Sequence, residues 1–148
     1  MKAVIQRVKN ASVLVEGDIV SQINAGMLIL FCVEKGDTDS ELQWMANKIK
    51  GLRFFSDEND KMNRSIIDIN GEILVVSQFT LAADCKKGTR PGFDNAEVPQ
   101  RAKLMYEKFV GLLKSDIPVV KTGVFAAMMD VSLVNDGPVT FVLEKSNS

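Results

Sequence analysis

A chain of 148 residues has room for one domain with a full core and no need of covalent staples. Hydrophobic content of 46% and charged content of 25% are ordinary for a globular protein, and the net charge of −1 argues against wholesale coating of nucleic acid. There is no histidine, which excludes Ser-His and Cys-His nucleophilic pairs within the chain and weighs against a zinc site.

The chain opens Met1-Lys2-Ala3-Val4-Ile5-Gln6-Arg7, too polar too soon for a secretory signal. The longest apolar run, residues 27–33, suits a buried strand rather than a bilayer span. Cys32 and Cys85 offer neither metal spacing nor a disulfide framework. A cytoplasmic protein is expected, with no membrane association, no metal and no cofactor.

In chain order, residues 2–8 alternate as a strand. Residues 12–16 and 19–23 flank Gly17-Asp18 as a hairpin, and 27–33 read as a central strand covered on both faces. Thr38 followed by Glu41 is a capping-box pattern opening a helix, and Leu42, Met45, Ile49 and Leu52 line one of its faces. Residues 65–69 and 72–79 read as two strands joined by Asn70-Gly71, a dipeptide suited to a type I′ turn. Residues 82–95 form a turn-rich surface loop. A second helix starts at Pro99 and ends before Pro118. Residues 119–124, 131–134 and 139–143 are short strands. The expectation is a single α+β domain over 1–148 with a mostly antiparallel or mixed, barrel-like sheet and two main helices.

Two motifs could carry chemistry. Ser77-Gln78-Phe79-Thr80 ends a strongly apolar strand, where backbone N–H groups and short hydroxyls can be aimed at a developing oxyanion. The plainer reading is a turn former bonded to its own backbone. Asn135-Asp136-Gly137-Pro138-Val139-Thr140 reads either as an Asx-type turn between two strands or as a cis Gly137–Pro138 peptide. A cis bond would turn neighbouring carbonyls to one side, beside a residue with no Cβ to keep a ligand away. Phe125, Met128 and Met129 read first as core, with a pocket wall as the alternative. Lys86, Lys87 and Arg90 cluster without an intervening acid, as solvated charge or as a local phosphate contact. Cys85 lacks an activating base beyond Lys86 and Lys87.

Together the two motifs resemble those of the D-aminoacyl-tRNA deacylase family, and the likeness runs over essentially the whole chain, from the opening 1–8 through Ser77-Gln78-Phe79-Thr80-Leu81 to Val134-Asn135-Asp136-Gly137-Pro138-Val139-Thr140. The resemblance implies a homodimer acting on the aminoacylated 3′ end of tRNA. It implies that a cis Gly137–Pro138 reaches into the partner's site as a filter against L-aminoacyl groups, oriented by Arg7. Catalysis would fall to Ser77, Gln78, Phe79 and Thr80, with the Phe79 and Thr80 amides facing the ester carbonyl and the Thr80 hydroxyl positioning rather than attacking. Phe125 and Met129 would wall the terminal adenosine and aminoacyl group, and Lys86, Lys87 and Arg90 would meet phosphates. Glycyl-tRNA, with no side chain to reject, would also be hydrolysed. Two other readings compete: a non-catalytic nucleic-acid-binding protein on the same fold, and a Cys85-dependent acyl transferase.

Overall fold

In the computed structural model, which describes residues 1–146, the first strand is hydrogen-bonded along both edges. This strand, β1 (Lys2–Val15), is a single element where the alternation marks two, because pairing continues past Lys9 and Asn10. One edge takes β2 (Asp18–Ile23) through the expected hairpin and then β3 (Gly26–Cys32), both antiparallel. The other edge takes the C-terminal strand β8 (Asp130–Glu144) along nearly its whole length. Beyond β3 the sheet turns parallel, through β6 (Glu72–Ser77) to β7 (Val120–Thr122). Ser21 Oγ donates to the Thr122 carbonyl and Lys121 Nζ to the Gln22 carbonyl, so β2 curls over β7 and the mixed sheet nearly closes into a barrel.

Two helices cover one face. In α1 (Asp39–Gly51), Leu42, Met45, Ala46 and Ile49 are buried; in α2 (Pro99–Lys114), Met105, Tyr106, Phe109, Val110 and Leu113 are. They pack on Ala3, Ile5, Met27, Ile29, Phe31, Ile73 and Val75. Phe31 stacks on Phe109 with ring centroids 4.1 Å apart. Val8, Ala11, Val13, Ile23, Leu28, Leu74 and Val76 form a second cluster. The Met1 ammonium is enclosed by Glu34 and Asp37 carboxylates at 3.0 Å and the Lys145 carbonyl at 2.9 Å, which ties both ends of the chain to the β3–α1 connection.

Two expectations are corrected. Residues 65–70 are not a strand, and Asn70-Gly71 does not join a hairpin. Ser65 and Asp68 cap each other, Ser65 N–H to Asp68 Oδ2 at 2.9 Å and Asp68 N–H to Ser65 Oγ at 3.2 Å, while Gly71 N–H returns to the Ile66 carbonyl at 3.0 Å. These local bonds wind the segment into turns, leaving β6 free to pair in parallel with β3 and β7. The hairpin in this region is instead the short pair β4 (Phe55–Ser56) and β5 (Met62–Arg64). The strands expected at 131–134 and 139–143 are likewise one strand, β8, rather than two joined by a turn.

The helix α1 is held by the expected box: Ser40 N–H donates to Thr38 Oγ1 at 3.3 Å, and Thr38 N–H to Glu41 Oε2 at 2.6 Å. The hydroxyl and then the amide of Thr38 hold the Glu41 carboxyl below the usual carboxylate range. A depressed folded-state pKa adds stability above the unfolded value and loses it as pH falls through the folded one. Thr38→Ala is expected to lower the urea unfolding free energy by about 1 kcal/mol at pH 7. The deficit should shrink in titrations below about pH 4, where Glu41 protonates in both variants.

Candidate active site

Because β3, β6 and β7 run in parallel, their C-terminal ends lie at one edge of the sheet, the usual place for a ligand site in parallel sheets. At that edge β6 ends at Ser77, and the chain enters a 3-10 turn, Phe79–Ala82. Gln78 N–H donates to the Phe31 carbonyl at 2.8 Å, which continues the β3 ladder one step beyond the strand. Within the turn, Leu81 N–H reaches the Gln78 carbonyl and Ala83 N–H the Thr80 carbonyl. The Phe79 and Thr80 amides precede the turn's first bond, and a helical turn gives such leading amides no partner of its own. Phe79 is 59% exposed, its ring edge-to-face with Phe93 at 5.2 Å. Gln78 Nε2 donates to Thr80 Oγ1 at 3.0 Å, so the threonine hydroxyl is oriented, and among the described residues no base bonds to it. The four residues that sequence reasoning grouped thus form one corner at the end of β6.

Phe125 and Met129 follow β7 at the same edge. Phe125 is half-buried, its ring 5.9 Å from that of Tyr106, whose hydroxyl donates to the Val75 carbonyl at 2.9 Å. Burial pushes the Tyr106 phenol up to about 12, so it stays protonated and keeps that bond. Met129 packs over Gly123, where a Cβ would sit 2.7 Å from its sulfur and would displace that side chain. Met128 is 91% exposed and belongs to no core, against expectation; it follows a turn closed by Ala127 N–H on the Val124 carbonyl at 3.2 Å, with Ala126 at φ 65°. Lys86, Lys87 and Arg90 are exposed on the loop after the turn, and Cys85 is exposed beside them. Among the described residues no group of three or more His, Cys, Asp or Glu is placed to hold a metal ion.

The second motif lies elsewhere on the sheet. On β8, Thr140 is opposite Gln6 and Asn135 opposite Val8, so residues 136–139 leave the ladder across from Arg7. The Gly137–Pro138 peptide within this excursion is cis. Asn135 brackets it, accepting from Val139 N–H and donating to Thr140 Oγ1, both at 2.9 Å. Arg7 holds its base. Nε donates to the Asp136 carbonyl at 2.9 Å and Nη1 to the Phe54 carbonyl at 3.0 Å. Gly137 has φ +139°, and a Cβ there would lie 2.6 Å from Val139 Cγ2 and 3.2 Å from Arg7 Nη2. No other residue type fits.

Register fixes the distance between the motifs. Ser77 stands in line with Phe31, Ala3 and Leu143, whereas Arg7 and the excursion stand in line with Met27 and Ile73. They are therefore three strand spacings, roughly 14 Å, and four residues, roughly 13 Å, apart on the sheet. Arg7, Gly137 and Pro138 come together, and Ser77, Gln78, Phe79 and Thr80 share one strand end, whereas Phe125 packs against the helix-side cluster and Met129 against the other. The two groups do not meet within one chain. Sequence reasoning passed over Phe93, Lys2 and Cys32, which touch the 79–82 turn; only the side-chain bracket of Asn135 could be suspected from its place in the motif.

The chain matches the family described as D-Tyr-tRNA(Tyr) deacylase over residues 4–144. It is 57% identical over 144 residues to a D-aminoacyl-tRNA deacylase of Persephonella marina, covering 97% of each chain. It is 53% identical over 145 residues to the deacylase of Pelobacter propionicus, covering 98% of this chain and all of the relative. A solved structure described as a c-Myc DNA unwinding element binding protein superposes with TM-score 0.93 at 42% identity, over 98% of this chain and 99% of that one. A second, of a probable eukaryotic D-amino acid tRNA deacylase, gives TM-score 0.80 at 16% identity over 96% and 97%, a likeness of fold alone.

Replacing Arg7 by methionine keeps the aliphatic stem but strands the Asp136 and Phe54 carbonyls. An unfolding free energy lower by about 2 kcal/mol is expected in urea titration, with the m-value unchanged.

Proposed function

The chain belongs to the D-Tyr-tRNA(Tyr) deacylase family, and from that premise we propose that it hydrolyses the ester between a D-amino acid and the 3′-terminal ribose of tRNA, releasing both. The observation that carries the reading is the separation of two built half-sites on one sheet. One is a corner of backbone donors at Ser77, Gln78, Phe79 and Thr80; the other is the excursion at Gly137 and Pro138, held by Arg7. A protomer's own excursion lies roughly 20 Å from its own corner by strand and residue spacing. A homodimer in which each excursion enters the partner's corner resolves the mismatch. The available edge of β8, which among the described residues pairs only with β1, and the exposed Phe79 support that arrangement.

In this mechanism the Phe79 and Thr80 amides receive the oxyanion, each well-placed donor lowering the barrier by about 3 kcal/mol. The aminoacyl ester is already activated, and the ribose 2′-OH beside it orders the attacking water. The Thr80 hydroxyl, turned by Gln78, positions rather than attacks, since among the described residues no base bonds to it. Phe125 and Met129 wall the adenosine and aminoacyl group. With ammonium and carbonyl fixed, D and L side chains point in opposite directions. A main-chain wall at Gly137–Pro138 rejects the L side chain whatever its identity. Lys86, Lys87 and Arg90 meet acceptor-end phosphates, and the cytoplasm, where charged tRNA is used, is the place of action.

The likeness to the DNA unwinding element binding protein favours one other reading, nucleic-acid binding without catalysis. A deacylation assay separates the two. The enzyme is expected to hydrolyse D-Tyr-tRNA and Gly-tRNA and to spare L-Tyr-tRNA and L-Ala-tRNA; no hydrolysis of D-Tyr-tRNA leaves only the binding reading, and rapid loss of L-Ala-tRNA removes the wall. The triple variant Lys86→Ala, Lys87→Ala, Arg90→Ala is expected to flatten the plot of log affinity for tRNA against log salt by about 2. An unchanged slope returns the three cations to solvent.

A further inference from the structure

A four-residue 3-10 turn has too few internal bonds to set its own orientation, so the catalytic corner depends on what grips its carbonyls. Two residues do so from beneath, and they are cross-strand partners. Lys2 of β1 pairs with Cys32 of β3. Lys2 Nζ donates to the Leu81 carbonyl at 3.3 Å, and Cys32 Sγ lies 3.7 Å from the Phe79 carbonyl. Burial pushes the Cys32 thiol up to about 11, so it remains S–H and can donate. The direction of Lys2 is set from behind by Glu34, whose carboxylate lies 4.0 Å from Nζ and is itself anchored on the Met1 ammonium at 3.0 Å.

We infer that Lys2 is a positioning residue of the deacylation, its ammonium fixing the carbonyl end of the 79–82 turn so that the amides of Phe79 and Thr80 at the other end face the oxyanion. The inference rests on the oxyanion role proposed above for that turn. A cation at the carbonyl end also polarises the peptide units in the sense that leaves the leading amides more positive. Donors for an oxyanion must sit within tenths of an ångström of their place, and a shift of about 1 Å can cost on the order of a hundredfold in rate. The effect is therefore on turnover rather than on substrate binding.

Lys2 also borders a surface cavity with Ala83, Asp84, Cys85, Lys86 and Asn95, from which it could instead touch a substrate phosphate. Steady-state kinetics on D-Tyr-tRNA separate these roles. Lys2→Met is expected to lower kcat about tenfold with KM within about twofold of the parent and an unchanged urea midpoint, while Lys2→Arg, which can still reach Leu81, recovers most of kcat. Lys2→Gln, which leaves a polar surface, should show the same kcat loss if the methionine variant folds poorly. Parental kcat in Lys2→Met and Lys2→Gln, a rise confined to KM, or an arginine variant as slow as the others would each overturn the inference. Inactivity of the parent protein towards D-Tyr-tRNA would instead overturn the deacylase reading itself.

Discussion

The grip of Arg7 on the Asp136 carbonyl is the contact on which the second half-site depends. Arg7 pairs with Met27 of β3, and its neighbours Gln6 and Val8 pair with Thr140 and Asn135 of β8 on either side of the excursion. Its guanidinium spans two carbonyls, those of Asp136 in β8 and Phe54 beyond α1, with its fork preorganised for two acceptors. A flexible lysine could satisfy one of them. Four residues of β8 would otherwise have to rejoin the ladder or flop as a loop. The bracket from Asn135 and the crowding at Gly137 complete a shape with no freedom left.

The first half-site has a different origin. It arises from the switch in the sheet from antiparallel to parallel pairing at β3, which brings three strand ends to one edge. The helix α2 supports that edge from below, through Tyr106 on the Val75 carbonyl and Phe109 on Phe31. Both half-sites are consequences of one register, and the same register that builds them keeps them apart in the single chain. In the proposed homodimer, a two-fold pair of protomers would supply two complete sites from four incomplete halves.

Much of this was legible from residue order. The capping box at Thr38 and Glu41, Pro99 at the start of α2, and the buried run that became β3 are local signals, and the fold keeps them. Each motif taken alone reads as ordinary turn chemistry, and the two could be singled out only together, by their order and spacing in the chain. What failed was pairing. Asn70-Gly71 is good hairpin chemistry, yet the bonds between Ser65 and Asp68 closed the segment locally, and β6 went to distant partners. Asp136-Gly137-Pro138 looks like a turn between strands because nothing local reveals that Arg7, more than a hundred residues away, holds the chain in line. Lys2 and Cys32 were invisible for the same reason: one resembles any surface cation and the other any buried thiol until the register sets them side by side.

The absence of histidine gives these findings a common sense. In the proposed mechanism the working groups are amides and carbonyls, and such a site cannot be recognised by a catalytic side chain, because those groups are the same at every position. What selection can vary is the set of side chains that hold the main chain in place. Arg7 and Asn135 on the excursion, and Gln78, Lys2 and Cys32 around the turn, each bond to backbone or to a hydroxyl at the rim of the site. Chemistry of this kind relies on orientation rather than acid–base strength. It therefore needs a scaffold whose loops are tied down, and the excursion is tied to β1 through Arg7 and the turn to β1 and β3 through Lys2 and Cys32.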